Sequence, residues 1–186
     1  MNDAVEEQKP AIRIRPSRDE DVVAMLAIYR NYIFTGVEPK ARLESFEINA
    51  DDLKRRRKNM RNSKMPHIAA EADGQVVGYA YVVPFRKRPA YRFTVKHSIY
   101  IHPDWLHAGL GKQLLNALMD ACAAAGFRQM LGYVDSINEA SIRLHVRCGF
   151  NEVGRLPAVA WKYDRWSDVV MMQRSLGEGL TSPPTG

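Results

Sequence analysis

The hydrophobic and polar positions of the chain follow two periods, one typical of strands and one typical of helices. Residues 12–16, IRIRP, alternate apolar and basic side chains, which predicts a half-buried strand. Ser17 and Glu20 follow at the spacing of a capping box and predict that a helix begins there. The apolar positions of this helix recur on one face, which carries Val22, Met25, Leu26, Tyr29 and Ile33.

The middle of the chain predicts a β-hairpin, a third strand and a helix. The hairpin covers residues 67–85, where Asp73 and Gly74 separate two apolar runs, a strong short-range hairpin signal. The third strand covers residues 91–103 and ends at a proline. The helix that follows ends at Gly126 and carries, at helical spacing, Leu110, Leu114, Leu118 and Cys122.

The last third of the chain predicts a buried strand over residues 128–134, a helix from Asn138 to Gly149, and one or two strands within residues 150–176. With a basic helix near residue 54, the order is strand, two helices, three strands, helix, strand, helix and terminal strands. This order predicts a mixed α/β sandwich with one central sheet.

The composition predicts one domain with short flexible tails. The 186 residues are 46% hydrophobic and 26% charged, which suits a single globular domain that we place at residues 11–176. Residues 1–10 and 177–186 are poor in apolar side chains, which predicts flexible tails. No apolar run approaches the roughly 20 residues of a membrane span. The beginning lacks the pattern of a secretory signal, so we expect a cytoplasmic protein that does not bind a membrane.

The cysteines and histidines indicate no metal site. Cys122 and Cys148 form no ligand-spaced pair, so we expect two free thiols that pack as small core residues. His67, His102 and His107 combine with no acidic or cysteine partner at metal spacing. We therefore predict that the protein holds no metal.

The chain is basic, and this charge favours an anionic ligand. The net charge of +6 and the pI of about 9.4 suit a phosphate-bearing cofactor, an acidic metabolite or a nucleic acid. The densest basic run, KRRRK over residues 54–58, follows NADD, so acids begin and bases end a predicted helix in the order that its dipole favours. One basic run is a weak signal for nucleic acid, and we interpret it as a solvated helix face.

Gly109 and Gly111 stand where a helix is predicted to begin. They indicate either a backbone that binds phosphate or a tight turn without a ligand, and the pair alone favours neither. A dinucleotide fingerprint requires a third small residue where Leu114 stands. A P-loop requires glycine where Leu106 stands and serine or threonine where Gln113 stands, so both kinds of site are disfavoured.

Several motifs, in this order, resemble those of the GNAT superfamily of acyl-CoA-dependent N-acetyltransferases: SIYIHPDWLHAGLGKQLL over residues 98–115 and NEASIRLHVRCGFNEVG over 138–154. Within it, PFRKRPAYRFTV over 84–95 and SIRLH over 141–145 resemble the phosphinothricin and methionine sulfoximine acetyltransferase group. The resemblance covers residues 12–176. It implies the GNAT fold, a mostly antiparallel twisted sheet with flanking helices, with acetyl-CoA as co-substrate and a homodimeric assembly.

The resemblance implies where acetyl-CoA binds. The family pattern Arg/Gln-x-x-Gly-x-Gly/Ala falls on residues 106–111, with leucine at its first position. The pantetheine arm is expected to bond like an added strand along Ile99, Tyr100 and Ile101. The pyrophosphate is expected on the backbone of His107, Ala108, Gly109, Leu110, Gly111 and Lys112.

Asn138, Ser141 and His145 follow one another at spacings of three and four residues, which places them on one helix face. Taken alone, Asn138 is explained as an N-cap and His145 as an ordinary histidine. The resemblance instead implies that Asn138 and Ser141 lie on the cofactor face. It implies that His145 protonates or hydrogen-bonds the departing sulfur.

The catalytic base is left open. The group carries glutamate in T-V-E on the strand before the glycine loop, and Lys96 stands in that position here. Lysine keeps its proton at neutral pH, so Lys96 could serve only if burial or a cationic neighbour changed this. His97 is a second choice, on the opposite face of the strand, and a water chain is a third. We expect the backbone amide of Tyr100 to stabilise the oxyanion.

The acceptor side also follows from the resemblance. Arg86, Arg88 and Tyr91 match group positions that bind the anionic end of the acceptor, and Lys96 adds positive charge. Residues 44–47, ESFE, correspond to the group's T-F-E. The implied acceptor is a small amino-acid-like amine of the phosphinothricin or methionine sulfoximine type.

Three hypotheses about function follow. The first is an N-acetyltransferase in which the small-molecule amine attacks acetyl-CoA directly. The second is a protein that binds acyl-CoA but has an altered acceptor or no turnover, because Lys96 replaces the usual glutamate. The third is a protein that binds a nucleic acid or a protein amine, whose affinity would fall steeply with salt. We favour the first and expect no nucleic-acid partner.

Overall fold

The computed structural model of the chain describes residues 10–34, 49–162 and 165–184. Short 3₁₀ helices cover Asp19–Asp21, Pro89–Tyr91 and Pro103–Trp105. The strands and α-helices follow in the order β1 Ile12–Pro16, α1 Val22–Phe34, α2 Ala50–Asn62, β2 His67–Ala72, β3 Gln75–Pro84, β4 Thr94–Ile101, α3 Leu110–Ala124, β5 Gln129–Asp135, α4 Glu139–Arg147, β6 Asn151–Lys162 and β7 Arg165–Ser175.

The strands form one sheet in the order β1-β2-β3-β4-β5-β7-β6. Neighbouring strands pair antiparallel except β4 and β5, which pair parallel. The predicted class, a mixed α/β fold with one mostly antiparallel central sheet, is confirmed.

The parallel contact between β4 and β5 is short. The two strands pair only from Thr94 opposite Gln129 to Lys96 opposite Leu131 within the described residues. On its other edge, β4 stays paired with β3 as far as Ile101. The sheet therefore splits between β4 and β5 after Lys96.

Helices cover both faces of the sheet. On one face, α3 buries Leu110, Leu114, Leu118 and Cys122 completely, which confirms the predicted apolar stripe. Each fully buried leucine contributes about 2 kcal/mol of transfer free energy. On the other face, α1 packs a second cluster that comprises Met25, Ile28, Ala69, Tyr79 and Tyr100.

The capping box predicted from Ser17 and Glu20 is wrong. The carboxylate of Asp21 accepts the backbone N–H of Arg18 at 2.7 Å. The capping bond therefore lies one residue later in the chain than the predicted pair of Ser17 and Glu20. Ser17 instead continues the strand, because its N–H donates to the backbone oxygen of His67 at 2.9 Å. Asp21 also binds the buried guanidinium of Arg15 at 2.7 and 2.8 Å, which holds the helix start against β1.

The basic run of α2 is only partly a solvated face. Lys54 and Lys58 are both exposed to solvent, as expected. Arg57 is buried, donates to the backbone oxygen of Ser17 at 3.0 Å and forms an ion pair with Asp19. This arginine therefore attaches α2 to the turn before α1.

Three further findings concern the cysteines, the helix lengths and the metal-ligating side chains. Cys122 and Cys148 are free and buried, as predicted. Within residues 10–34, 49–162 and 165–184, no helix combines the length and the apolar content needed to cross a membrane. The same ranges contain no cluster of His, Cys, Asp and Glu that could hold a metal ion.

Candidate active site

A cavity of about 140 Å³ opens where β4 and β5 separate. Its walls come from the second half of β4, from β5, from α4 with its N-cap, and from one tyrosine of α1. The lining residues are Tyr32, His97, Ser98, Ile99, Tyr100, Gly132, Tyr133, Val134, Asp135, Asn138, Ser141 and His145. Of the residues predicted for the site, Ile99, Tyr100, Asn138, Ser141 and His145 meet in this cavity.

The backbone of β4 presents alternate amides to the cleft. The oxygen of Thr94 accepts from Phe85 at 3.0 Å, and the N–H of His102 donates to Val77 at 2.8 Å, so even-numbered residues bond toward β3. The Ile101 backbone bonds the hydroxyl of Tyr32 instead, at 2.9 and 3.0 Å.

Because the direction of backbone groups repeats every two residues along a strand, the N–H of Ile99 faces the cleft. The N–H of Tyr100 faces β3, opposite Tyr79. The geometry thus disagrees with the expectation that the amide of Tyr100 stabilises an oxyanion. The amide of Ile99, and not that of Tyr100, faces the cleft.

The side chains of β4 alternate as predicted. The Lys96 ammonium lies 5.7 Å from the ring centre of Tyr133, which lines the cavity. His97 points to the opposite face, where its ring lies 5.0 Å from that of His145. Lys96 itself does not line the cavity. It lies behind Tyr133, which does.

His97 and His145 form a buried pair. Their Nε2 atoms lie 3.0 Å apart, and the Nδ1 of His145 lies 2.7 Å from the backbone oxygen of Ser141. Phe150 packs against both rings, with ring centres 5.6 and 5.1 Å away. His145 is only 2% exposed. α4, β4 and the residue before β6 thus enclose the pair.

Both histidines are neutral near pH 7. Burial and, to a smaller extent, the adjacent His145 lower the pKa of His97 to about 3. Burial also lowers the pKa of His145, although the bond to the Ser141 oxygen acts in the opposite direction. A neutral imidazole carries one proton, so each ring has one donor and one acceptor nitrogen.

Gly132 makes this arrangement possible. A Cβ atom at Gly132 would lie 2.7 Å from Nε2 of His145 and 2.9 Å from Nε2 of His97. Both distances are far below normal van der Waals contact. The histidine pair can therefore lie against β5 only because residue 132 has no side chain.

Asn138 both begins α4 and lines the cavity. Its side-chain oxygen accepts the N–H of Ser141 at 3.0 Å, so the N-cap interpretation is confirmed. The same residue is part of the cavity wall. The two interpretations of Asn138 are compatible.

The two glycines before α3 act differently. Gly109 is the N-cap with φ of 79° and has no side chain to bond the first amides of the helix. His107 also has a left-handed φ, 63°. Gly111 lies inside the helix, and its added Cβ would lie 3.2 Å from Leu144 of α4. The first glycine shapes the turn, and the second lets α3 approach α4.

The described residues that were predicted to bind the acceptor do not line the cavity. Arg86, Arg88 and Tyr91 lie in the connection between β3 and β4, outside the cavity wall. The Arg86 guanidinium lies 5.5 Å from the ring centre of Tyr91. Residues 44–47 lie outside the described residues.

Several wall residues were not expected from the sequence. A glycine within a predicted strand signals close approach of another group, and this signal could have identified Gly132. Tyr32 and Tyr133 carried no such signal, because their roles depend on the packing of α1 and on the split in the sheet. The contact between His97 and His145 likewise joins residues from different elements.

The family model and the similar proteins all indicate the same family of acetyltransferases. The family model described as "Acetyltransferase (GNAT) family" matches residues 25–150. A phosphinothricin N-acetyltransferase of Alcaligenes faecalis is 39% identical over 181 residues, which cover 97% of this chain and 90% of that protein. An L-methionine sulfoximine/L-methionine sulfone acetyltransferase of Pseudomonas paraeruginosa is 40% identical over 62% of this chain and 67% of its own length.

A solved structure shows the same fold. The crystal structure of a GNAT superfamily phosphinothricin acetyltransferase from Sinorhizobium meliloti, in complex with acetyl-CoA, is 35% identical to this chain. The TM-score is 0.86, and the match covers 94% of this chain and 93% of the other.

The close packing at Gly132 can be tested by replacing this residue. We expect Gly132→Ala to lower the free energy of unfolding by about 1–3 kcal/mol, because the added methyl displaces both histidine rings. Urea denaturation measures this change. Gly154→Ala is the matched control, since its Cβ would meet only the flexible end of Met171 at 2.8 Å, and we expect a loss below about 1 kcal/mol. Equal losses in the two variants would show that the histidine rings do not depend on a bare backbone at residue 132.

Proposed function

This chain belongs to the acetyltransferase (GNAT) family, and we propose that it transfers the acetyl group of acetyl-CoA to the amine of a small amino-acid-like acceptor. The proposed acceptors are of the phosphinothricin or methionine sulfoximine type, which the names of its relatives support. The observation that carries the proposal is the split between β4 and β5, with an uncapped helix N-terminus in the loop region after β4.

The start of α3 is the proposed site of the coenzyme A pyrophosphate. Gly109 leaves the first amides of the helix without a side-chain cap, and these amides together carry partial positive charge. His107, Ala108, Leu110, Gly111 and Lys112 complete the proposed backbone contact. Leu106 is 44% exposed beside this turn, and because the contact uses amides, leucine at this position does not prevent it.

The open edge of β4 is the proposed site of the pantetheine arm. After Lys96 this edge has no strand partner within the described residues, so backbone groups of Ile99 can bond an extended ligand. Tyr32 bonds the next such position, Ile101, and so marks one end of the open stretch. Asn138 and Ser141 line the opposite side of the cavity.

In the proposed reaction, the neutral amine attacks the thioester carbonyl directly, with no covalent enzyme intermediate. The N–H of Ile99 is placed to bond the oxyanion, in place of Tyr100. His145 is the group proposed near the departing sulfur. An α-amine with a pKa of about 8 is roughly one-tenth neutral at pH 7, which adds only about 1.4 kcal/mol to the barrier. Turnover therefore does not require the glutamate that Lys96 replaces.

Positive charge near the cavity supports an acceptor with an anionic end. Lys96 lies against Tyr133 of the cavity wall, and Arg86, Arg88 and Tyr91 lie together on the β3–β4 connection. We propose that these residues bind the carboxylate or another anionic group of the acceptor. The two free, buried cysteines suit a cytoplasmic location, where thiols stay reduced.

We also propose that the protein is a homodimer, joined through the β6–β7 hairpin. β6 is at the edge of the sheet, and apolar residues of the hairpin are strongly exposed. Val153 is 52% exposed, Trp161 is 56% exposed, and Trp166 is 60% exposed. Exposed apolar residues grouped on a hairpin at the edge of a sheet are typical of an interface.

A thiol-release assay tests the proposed activity. We expect release of free coenzyme A that depends on the acceptor when acetyl-CoA is mixed with phosphinothricin, methionine sulfoximine or methionine sulfone. Binding of acetyl-CoA without such release would instead support a protein that has lost turnover. Failure to bind acetyl-CoA would reject the proposed site altogether.

The pyrophosphate site can be tested with two glycines of one helix. Gly109 and Gly126 flank α3, both have left-handed φ values, 79° and 87°, and neither has an atom within 4 Å of an added Cβ. Alanine at either position should cost about 1 kcal/mol of stability. We expect only Gly109→Ala to weaken acetyl-CoA binding, by at least about tenfold, as measured by calorimetry. Equal affinities in the two variants would contradict the assignment.

The role of Lys96 can be tested through acceptor preference. Lys96→Glu changes the charge near the cavity by two negative units, so we expect the ratio of kcat/KM for phosphinothricin to that for methionine sulfoximine to fall about tenfold. The reason is that phosphinothricin carries a second anionic group. Lys58→Glu, an exposed site on α2, makes the same charge change and should leave the ratio unaltered. If both variants keep the original ratio, Lys96 lies outside the acceptor site.

The proposed interface can be tested by light scattering during gel filtration. We expect a mass of about twice the 21.1 kDa of the chain for the unmodified protein, and a single-chain mass for Trp166→Glu. Val23→Glu provides the control, because Val23 is 71% exposed on α1, away from the hairpin. A single-chain mass for the unmodified protein would reject the homodimer.

A further inference from the structure

The protons of the histidine pair can be assigned from its bonds. A carbonyl oxygen only accepts, so the 2.7 Å contact with the Ser141 oxygen places a proton on Nδ1 of His145. Because His145 is neutral, its Nε2 is then an acceptor. The 3.0 Å contact between the two Nε2 atoms therefore contains the proton of His97. His97 is the donor of this bond.

This assignment leaves one open proton site on the pair. Nδ1 of His145 is already bonded, and the space between the two Nε2 atoms holds one proton. The remaining nitrogen, Nδ1 of His97, is buried and has no hydrogen-bond partner among the described residues. An unpartnered buried acceptor lowers stability, so such atoms are rare in folded proteins.

We propose that His97 and His145 form a proton relay, which takes the proton of the attacking amine at Nδ1 of His97 and returns it to the departing sulfur. This inference rests on the proposed acetyl transfer. Both residues line the cavity, and His97 directly follows Lys96, the last β4 residue paired with β5. The relay therefore lies where the sheet begins to split.

The transfer balances without any further reactant. As the carbon–nitrogen bond forms, the nitrogen gives its proton to Nδ1 of His97, and the Nε2 proton of His97 moves to Nε2 of His145. His145 is then an imidazolium, held by the Ser141 oxygen. When the carbon–sulfur bond breaks, the same movements in reverse deliver one proton from Nδ1 of His97 to the thiolate, so His145 acts on the departing sulfur through His97. The products are an amide and a thiol, and the pair returns to its starting state.

The surroundings of the pair favour transient protonation over a stable protonated state. The same cavity is also lined by four other titratable side chains: Tyr32, Tyr100, Tyr133 and Asp135. Lys96 points to the other face of the sheet. Burial makes the protonated pair release its proton readily. Such a group receives a proton only while the amine nitrogen is bonding to carbon, and passes it on at once.

The relay supplies the proton acceptor that the glutamate provides in the related group. It uses a different strand face, because His97 and Lys96 are adjacent in β4 and point in opposite directions. It also gives Gly132 a function, since any side chain there would separate the two rings from their present contact.

His97→Gln is the variant that separates a relay from a structural bond. The glutamine amide can still donate to Nε2 of His145, but it cannot accept and pass on a proton. We expect kcat to fall about a hundredfold while the affinity for acetyl-CoA is unchanged. His102→Gln, at a 38% exposed histidine after β4, is the matched control and should keep the original kcat. A kcat within about threefold of the unmodified enzyme in His97→Gln would overturn the relay.

Nitrogen NMR of the histidine rings tests the relay without turnover. At pH 7 we expect protons on Nδ1 of His145 and on Nε2 of His97, and none on Nδ1 of His97. A proton on Nδ1 of His97 would close the open site and overturn the proposal. Absence of acetyl transfer by the unmodified protein would reject the proposed function instead, while the ring protonation would still be readable.

Discussion

The short parallel contact between β4 and β5 is the constraint on which the site depends. A parallel pair needs a crossover, and α3 provides it, so the helix N-terminus follows β4 after one connecting loop. The pairing stops after Lys96, and the strands then part. One feature thus places an open backbone edge and an uncapped helix start in successive segments of the chain. An extended ligand with an anionic end matches both.

The alternation of β4 distributes chemistry over two faces of the sheet. Lys96 and Tyr100 face the side covered by α1, where Tyr100 packs against Tyr29 and Tyr32. His97 faces the side of α4 and meets His145. The ammonium of Lys96 and the neutral imidazoles of His97 and His145 therefore lie on opposite faces. This separation arises because adjacent residues of a strand point to opposite faces of the sheet.

Three glycines of the site are needed for three different reasons. Gly109 takes a left-handed φ that begins α3 without a side-chain cap. Gly111 allows α3 to approach Leu144, and Gly132 allows two histidine rings to lie against β5. In the sequence all three look alike. Only the backbone angle of the first is a local property, since the other two depend on which element packs against them.

Local patterns along the chain were enough to predict the elements and their order, because apolar periodicity, the Asp73–Gly74 turn and the helix stops act over a few residues. They also predicted that Lys96 and His97 face opposite ways. Long-range packing determined what these patterns could not. Ser17 bonds β2 instead of capping a helix, Arg57 is buried against Asp19, and the amide of Tyr100 is directed to β3. Each of these outcomes depends on a partner far away in the chain, and local periodicity carries no information about such partners.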